Sequence, residues 1–257
     1  MIWLRSLLFH AAFYLWTAAL ALPFLPLLLA PPLWMMRCGT VWSRGTLLLL
    51  RLCTGLDYRV VGRERLPAGP VLIAMKHQSA WDTFAAPVIF RNPVMVIKRE
   101  LGWIPIYGWY ALKAGMIPVD RMGRASALKA MVEASARALE RGRPVLIFPE
   151  GTRSAVGEHH PYQPGVAALY QRLGVPLVPV AVDSGVFWAR RSLLRRPGRI
   201  TVEILPAIAP GGERRAVLAE LECRIEAATA RLVAAAQQPA GDKVVESVTE
   251  PGTEIRG

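Results

Sequence analysis

The stretch VLIAMKHQSAWDTF, Val71 to Phe84, decides how the chain is read. Its first five residues are an apolar run suited to a buried strand, and the run stops abruptly at Lys76-His77. An aspartate, Asp82, follows the histidine after four residues. On one continuous helix, five positions at about 100° each place His77 and Asp82 about 140° apart, on different faces. The chain must therefore bend between them if the two are to cooperate. Ser79 supplies the bend, because Ser-x-x-Asp ahead of apolar residues is a helix-start pattern in which the acidic side chain folds back toward the cap. That fold-back points Asp82 at His77.

Outward from this stretch, short β-type runs alternate with helical patterns. The expected strands are Tyr58–Val61, Val71–Met75, Val94–Ile97, Met116–Val119, Val145–Phe148, Leu177–Val182 and Ile200–Ile204. Trp81–Phe90, Ile106–Lys113, Ala125–Arg141 and Gly165–Leu173 read as helices, with Gly142 and Gly174 as stops. A last helix runs from about Glu213 to Ala236. Alternation of this kind means an α/β fold with a central, mostly parallel or mixed sheet flanked by helices, here over residues 56–236. Residues 237–257 have no sustained helical periodicity and many polar or breaking residues, so a disordered tail is expected. Ligands of open α/β sheets collect beyond the strand ends. Three polar clusters fall there: His77 after the Val71 strand, Asp120-Arg121 after GMIPV, and PEGTR, Pro149 to Arg153, after VLIF.

The composition bounds the partners. Lysine and arginine number 31 against 19 acidic residues, a net charge of +12, while 53% of the 257 residues are hydrophobic. Strong basicity joined to a mean hydropathy of +0.30 favours an anionic membrane surface over nucleic acid. Cys38, Cys53 and Cys223 are scattered and lack CxxC spacing, which suggests neither disulfides nor a thiolate zinc site and fits a reducing, cytoplasm-facing environment. His159-His160 has no carboxylate or cysteine spacing nearby and reads as exposed loop, so no metal is expected.

From Ser6 to Met36 there is no Asp, Glu, Lys or Arg. Prolines at 23, 26, 31 and 32 interrupt this run and leave about 17 unbroken residues before the first, at the short limit for a span. A second apolar segment, Leu33 to about Thr54, carries Arg37, Arg44 and Arg51 at heptad spacing, which puts them in one polar stripe. A spanning helix would place Arg44 near the bilayer centre at about 2.5–3.5 kcal/mol on the insertion scale, whereas an interfacial helix avoids that cost. Residues 1–55 are therefore expected to form a two-helix hairpin embedded in one leaflet. The alternative is one transmembrane helix from about Ile2 to Leu22.

A histidine oriented by a carboxylate suits a general base: the carboxylate sets the imidazole tautomer and the free nitrogen takes a hydroxyl proton. Ser79 lacks a G-x-S-x-G elbow and is explained as a cap rather than a nucleophile. No P-loop or G-x-G-x-x-G is present. Arg121 and Arg153 sit at strand ends and are of the residue type that holds phosphate by paired, charge-assisted bonds.

With Arg121 and Glu150-Gly151-Thr152-Arg153 in this order after the His-Asp pair, the chain resembles the glycerolipid acyltransferases, particularly those acting on 1-acylglycerol 3-phosphate. The likeness runs from about Tyr58 to Val182 through KHQSAWDT, KRELGWIPIYGWYALKAGMIPVDR, FPEGTR and VPVAV. It implies transfer of a fatty acyl chain from acyl-CoA or acyl carrier protein (acyl-ACP) to the sn-2 hydroxyl of lysophosphatidate, forming phosphatidate on the cytoplasmic face of the inner membrane. The lipid hydroxyl attacks the thioester directly, without acyl-enzyme or cofactor, once both substrates are bound together. By the same resemblance His77 is the base and Asp82 its orienter, and Arg121 and Arg153 hold the acceptor phosphate. Gly151 and Thr152 offer donors in the same loop, Glu150 orients that loop or meets the glycerol, and Lys98 adds positive charge. Two departures bear on the acceptor: Lys76 stands where many relatives have asparagine, and Gln163-Pro164-Gly165 replaces a frequent lysine-containing stretch. An acceptor such as a lyso-ornithine lipid stays open, as does a silent, basic membrane-binding module, against which the intact His77, Asp82 and Arg121 count. The basic run Trp188 to Arg199 reads either as a surface for anionic lipid or an acidic carrier protein, or as a solvated loop.

Overall fold

The computed structural model describes residues 1–120 and 124–238. Its strands are β1 (Leu56–Val61), β2 (Leu72–Met75), β3 (Val94–Lys98), β4 (Ile117–Val119), β5 (Val145–Ile147), β6 (Leu177–Val182) and β7 (Gly198–Ile204). Its helices are α1 (Ile2–Ala21), α2 (Pro32–Thr54), α3 (Trp81–Ile89), α4 (Tyr107–Lys113), α5 (Arg124–Glu140), α6 (Pro164–Leu173), α7 (Ser184–Phe187) and α8 (Arg214–Gln237). Short 3-10 turns lie at Leu25–Leu28, Arg63–Arg65 and Arg99–Trp103.

The strands form one seven-stranded sheet in the order β1-β7-β6-β2-β5-β3-β4. β2 pairs in parallel with β5 and β6, and β3 pairs in parallel with β5 and β4. β7 runs antiparallel to β6 and parallel to β1, so the sheet is mixed. The C-terminal ends of β2 to β6 consequently share one edge, where His77, Lys98, Asp120, Phe148 and Asp183 leave the sheet. β2 and β6 are buried along their whole length, as near-continuous apolar runs in a doubly covered sheet must be.

Side-chain alternation divides β2 between two cores. Ile73 and Met75 pack with Leu47 and Leu50 of α2 and with Trp81, Ala85 and Ile89 of α3. Leu72 and Ala74 pack on the opposite face with Met131 of α5, Val166 and Leu169 of α6, and Leu221 and Ile225 of α8.

The N-terminal helices turn back on each other through the 3-10 turn. Trp16 donates to the carbonyl of Trp42 at 3.1 Å, and Trp42 donates to Thr17 Oγ1 at 3.0 Å. Gly45 makes the approach possible, because a Cβ there would stand 2.3 Å from the Trp16 ring. α1 also rests on the α/β domain. Ser6 Oγ accepts from Arg195 N at 2.9 Å, the buried Phe9 packs edge-on against Trp188, and Tyr110 of α4 donates to the carbonyl of Ala21.

Element bounds differ from expectation in ways that matter locally. β5 ends at Ile147, which frees Phe148 for the site, and Glu213 lies outside α8 as its cap, accepting from the Arg215 and Ala216 amides at 2.9 Å each. The helix at Trp81 is capped at Ala80, one residue beyond the expected Ser79. The expected tail from 237 begins in helix, since Gln237 closes α8, and its part from 239 onward lies outside the described residues. Within the basic run after Trp188, Leu193 and Arg195 seat α1, while Arg191, Arg196 and Arg199 stay exposed. Arg195 is buried there at 3.7 Å over the Trp188 ring, its guanidinium pushed down to about 10 by burial, and Leu193 O meets His10 at 3.0 Å.

Candidate active site

His77 leaves the sheet at the end of β2, and the chain turns sharply before α3. The turn is closed by Asp82, whose Oδ2 accepts from Gln78 N at 2.8 Å and Ser79 N at 2.9 Å. Ser79 Oγ accepts from Trp81 N at 3.2 Å, so the serine ties the turn together without capping the helix. The same Oδ2 meets His77 Nδ1 at 2.8 Å, and Oδ1 accepts from Ser184 Oγ at 2.6 Å. Asp82 is fully buried, and these four donors satisfy it. An ionised carboxylate only accepts hydrogen bonds, so Nδ1 carries the imidazole hydrogen and Nε2 keeps its lone pair. The ring is stacked on Phe148 with centroids 3.9 Å apart, which leaves His77 13% exposed. A base held at one nitrogen and along one face, with its other nitrogen bare among the described residues, is the arrangement proton abstraction requires.

The loop after β5 lies beside it. Ser154 N donates to the carbonyl of His77 at 2.9 Å, and Gln163 N closes the loop on Pro149 O at 2.8 Å. Gly151 has a φ of +69°, a left-handed turn that other residues adopt at a cost. Thr152 is exposed and Arg153 half-buried, and among the described residues neither side chain has a hydrogen-bond or ion-pair partner. Glu150 points inward: it is buried, with Oε1 3.1 Å from the Lys76 ammonium. Lys98 ends β3, two strands from β2, half-exposed and paired with Glu100 at 3.1 Å. The structure thus brings His77, Asp82 and the Gly151–Arg153 loop together and records no contact of Lys98 with them. Arg121 lies outside the described residues. His159 pairs with Glu222 at 2.8 Å.

Several contributors were missed in the sequence. Ser184 and Asp183 follow β6 on the same sheet edge, and a polar pair directly after the VPVAV strand was the available signal. Asp183 accepts from Thr201 N at 2.7 Å, yet burial pushes its carboxyl up to about 6, with the nearby Asp82 charge acting in the same direction. Gln78 accepts from Gly185 N at 3.1 Å, which ties the His77 turn to the start of α7. Nothing local pointed to Glu226, 150 positions from Lys76.

Residues 57–183 match the model of the acyltransferase family. The 1-acyl-sn-glycerol-3-phosphate acyltransferase of Pseudomonas aeruginosa is 38% identical over 186 residues, 72% of this chain and 72% of that protein. The enzyme of the same name from Saccharomyces cerevisiae is 33% identical over 139 residues, which cover 53% of this chain and 46% of the other. Among solved structures, the 1-acyl-sn-glycerophosphate (LPA) acyltransferase PlsC from Thermotoga maritima matches with a TM-score of 0.74 at 20% identity, covering 90% of this chain and 98% of its own. The α/β fold and its mixed sheet are therefore shared with that structure, and the chain belongs to the acyltransferase family as an enzyme of the 1-acyl-sn-glycerol-3-phosphate acyltransferase kind.

Proposed function

We propose that the enzyme moves an acyl chain from acyl-CoA or acyl-ACP directly onto the sn-2 hydroxyl of lysophosphatidate, with His77 as general base. The observation that carries this reading is the His77–Asp82 pair with its bare Nε2. The acceptor hydroxyl oxygen attacks the thioester carbonyl carbon as Nε2 takes the hydroxyl proton. The tetrahedral intermediate then collapses, the carbon–sulfur bond breaks, and the imidazolium returns the proton to the departing sulfur. Products are phosphatidate and a free thiol. Phe148 and Asp82 hold the imidazole in place through the cycle, so no reorganisation is needed at the moment of transfer. Arg153, a guanidinium without a partner among the described residues and next to the Ser154 amide that bonds His77, holds the acceptor phosphate, with Arg121 as its proposed companion. Thr152 and the Gly151 backbone line the same loop. Lys98 belongs to the approach to the site rather than to its centre. An unpartnered arginine favours a phosphate-bearing acceptor over an ornithine lipid.

The acceptor is reached in its own leaflet, on the cytoplasmic face of the inner membrane. Ile2–Ala21 is long and apolar enough to cross a bilayer. It is nevertheless seated on the domain near its start, at Ser6 and Phe9, and at its end, at Ala21, which suits a helix lying along the protein better than one leaving it. Its open face carries Trp3, Leu4, Leu7, Leu8 and Leu15, and Trp103 and Ile104 just before α4, with Tyr107, Trp109 and Leu112 on it, add exposed apolar side chains beyond the Ala21–Tyr110 contact. Arg37, Arg44 and Arg51 are exposed on α2, where they meet headgroups. A panel of lyso-lipids, assayed by thiol release with acyl-CoA and acyl-ACP, tests the reading. Lysophosphatidate is expected to be the preferred acceptor. Preference for a phosphate-free lyso-lipid, or thiol release unaffected by loss of His77, would overturn it.

A further inference from the structure

β2 ends in two consecutive residues on opposite faces of the sheet. His77 continues the side of Ile73 and Met75, whereas Lys76 continues the side of Leu72 and Ala74 and meets α8. The Lys76 side chain is 1% exposed, and its ammonium serves two carboxylates. It donates to both oxygens of Glu226, at 2.7 and 2.9 Å, and stands 3.1 Å from Glu150 Oε1. Tyr162 donates to Glu226 Oε1 at 2.8 Å, and burial, with the Glu226 charge beside it, raises the phenol far above its ordinary range and keeps it a donor. Neither oxygen of Glu150 makes a hydrogen bond among the described residues, so Lys76 is its partner at ion-pair distance without hydrogen-bond alignment.

A buried cluster of one cation and two carboxylates is a poor device for stability, because apolar residues of the same volume commonly do as well or better. Its placement is informative instead. Glu150 and Tyr162 bracket the loop that carries Arg153; Glu150 meets the Lys76 ammonium directly and Tyr162 meets its partner Glu226, and Lys76 is one peptide bond from the catalytic histidine. We propose that Lys76 is a positioning residue that registers the loop from Pro149 to Tyr162 against His77, with Glu226 of α8 as the anchor. This deepens the reading of that loop as the acceptor clamp and rests on it.

The test uses the full-length protein with lysophosphatidate and acyl-CoA, and reads steady-state kinetics together with amide hydrogen exchange. Lys76→Met should raise the acceptor KM by about tenfold or more and leave the donor KM within about twofold, since only the acceptor loop is displaced. Exchange over residues 149–155, which include the Ser154 amide bonded to His77, should accelerate. A merely structural role would lower the active fraction and hence kcat, leaving both KM values alone. Because Lys76→Met strands two buried carboxylates, Glu226→Ala serves where that variant does not fold: Glu226 is 25% exposed, and its truncation should give the same signature. Glu226→Gln keeps an oxygen for both Lys76 and Tyr162 and should restore the acceptor KM to within about threefold.

A folded Lys76→Met or Glu226→Ala protein with wild-type acceptor KM and wild-type exchange overturns the proposal. A raised KM with unchanged exchange also overturns it, since the effect would then be one of charge alone. Faster exchange with an unchanged acceptor KM upholds Lys76 as the residue that registers the loop and overturns the loop's acceptor role.

Discussion

His77 and Lys76 are neighbours in the chain and opposites in the fold. The histidine emerges on the side of α2 and α3, held by one carboxylate and one aromatic ring, and its other nitrogen has no partner among the described residues. The lysine emerges on the side of α5, α6 and α8, closed off from solvent between two carboxylates. Both are ionisable groups at one strand end, so their difference comes from what covers each face. On the first face, where the acceptor is proposed to enter, one ring nitrogen is left without a partner among the described residues. On the second face the Lys76 charge is buried, and a buried charge must be paired within the protein. The two faces should therefore answer mutation in different measurements.

The largest effect belongs to the open face. His77→Ala should lower kcat by about 10²–10⁴-fold, the usual worth of a positioned base, with thermal unfolding nearly unchanged. Retained turnover, with the chemical step shown to be rate-limiting, would end the comparison. The closed face should answer in stability. Leu169, fully buried in α6, packs in the core on the side of the sheet opposite Met75 and Trp81, and Leu169→Ala should cost about 2–5 kcal/mol of unfolding free energy while turnover per folded molecule holds. A fall in specific activity of the folded fraction by tenfold would show that the faces are not separable.

Asp183 sharpens the contrast through pH. Burial holds its carboxyl at about 6, above the ordinary carboxylate value, so the folded state keeps a proton that the unfolded chain releases earlier. The stability this group contributes is complete below about pH 4 and is lost as pH rises through about 6. Asp183→Asn can still accept from the Thr201 amide and should remove that slope, so its stability relative to wild type should grow by order 2 kcal/mol between pH 4 and 7. A flat difference across that range in chemical denaturation would refute the assignment. The smallest effect concerns Ser184, whose loss leaves Asp82 with the three donors on Oδ2. Ser184→Ala should reduce kcat by about tenfold and leave the acceptor KM in place. An altered KM with unchanged kcat would move Ser184 from the base to the binding loop.

Much of the open face was legible from local spacing. The strand run, the turn at Ser79 and the fold-back of Asp82 depend on residues within six positions of one another, and interactions that short are encoded in residue type and order. Alternation of strands and helices likewise implied the α/β sheet. Residue types do not carry the pairing of strands far apart in the chain, because loop closure costs nearly the same for many arrangements. Only the tertiary structure placed β6 beside β2, which brings Ser184 to Asp82 across 102 positions, and laid α8 under β2, which brings Glu226 to Lys76 across 150. It also decided that Arg195, one arginine among several in a basic run, is buried against Trp188 as a seat for α1. Charge and hydropathy report what a segment can face. Which partner it faces is set by the long-range packing that covers it.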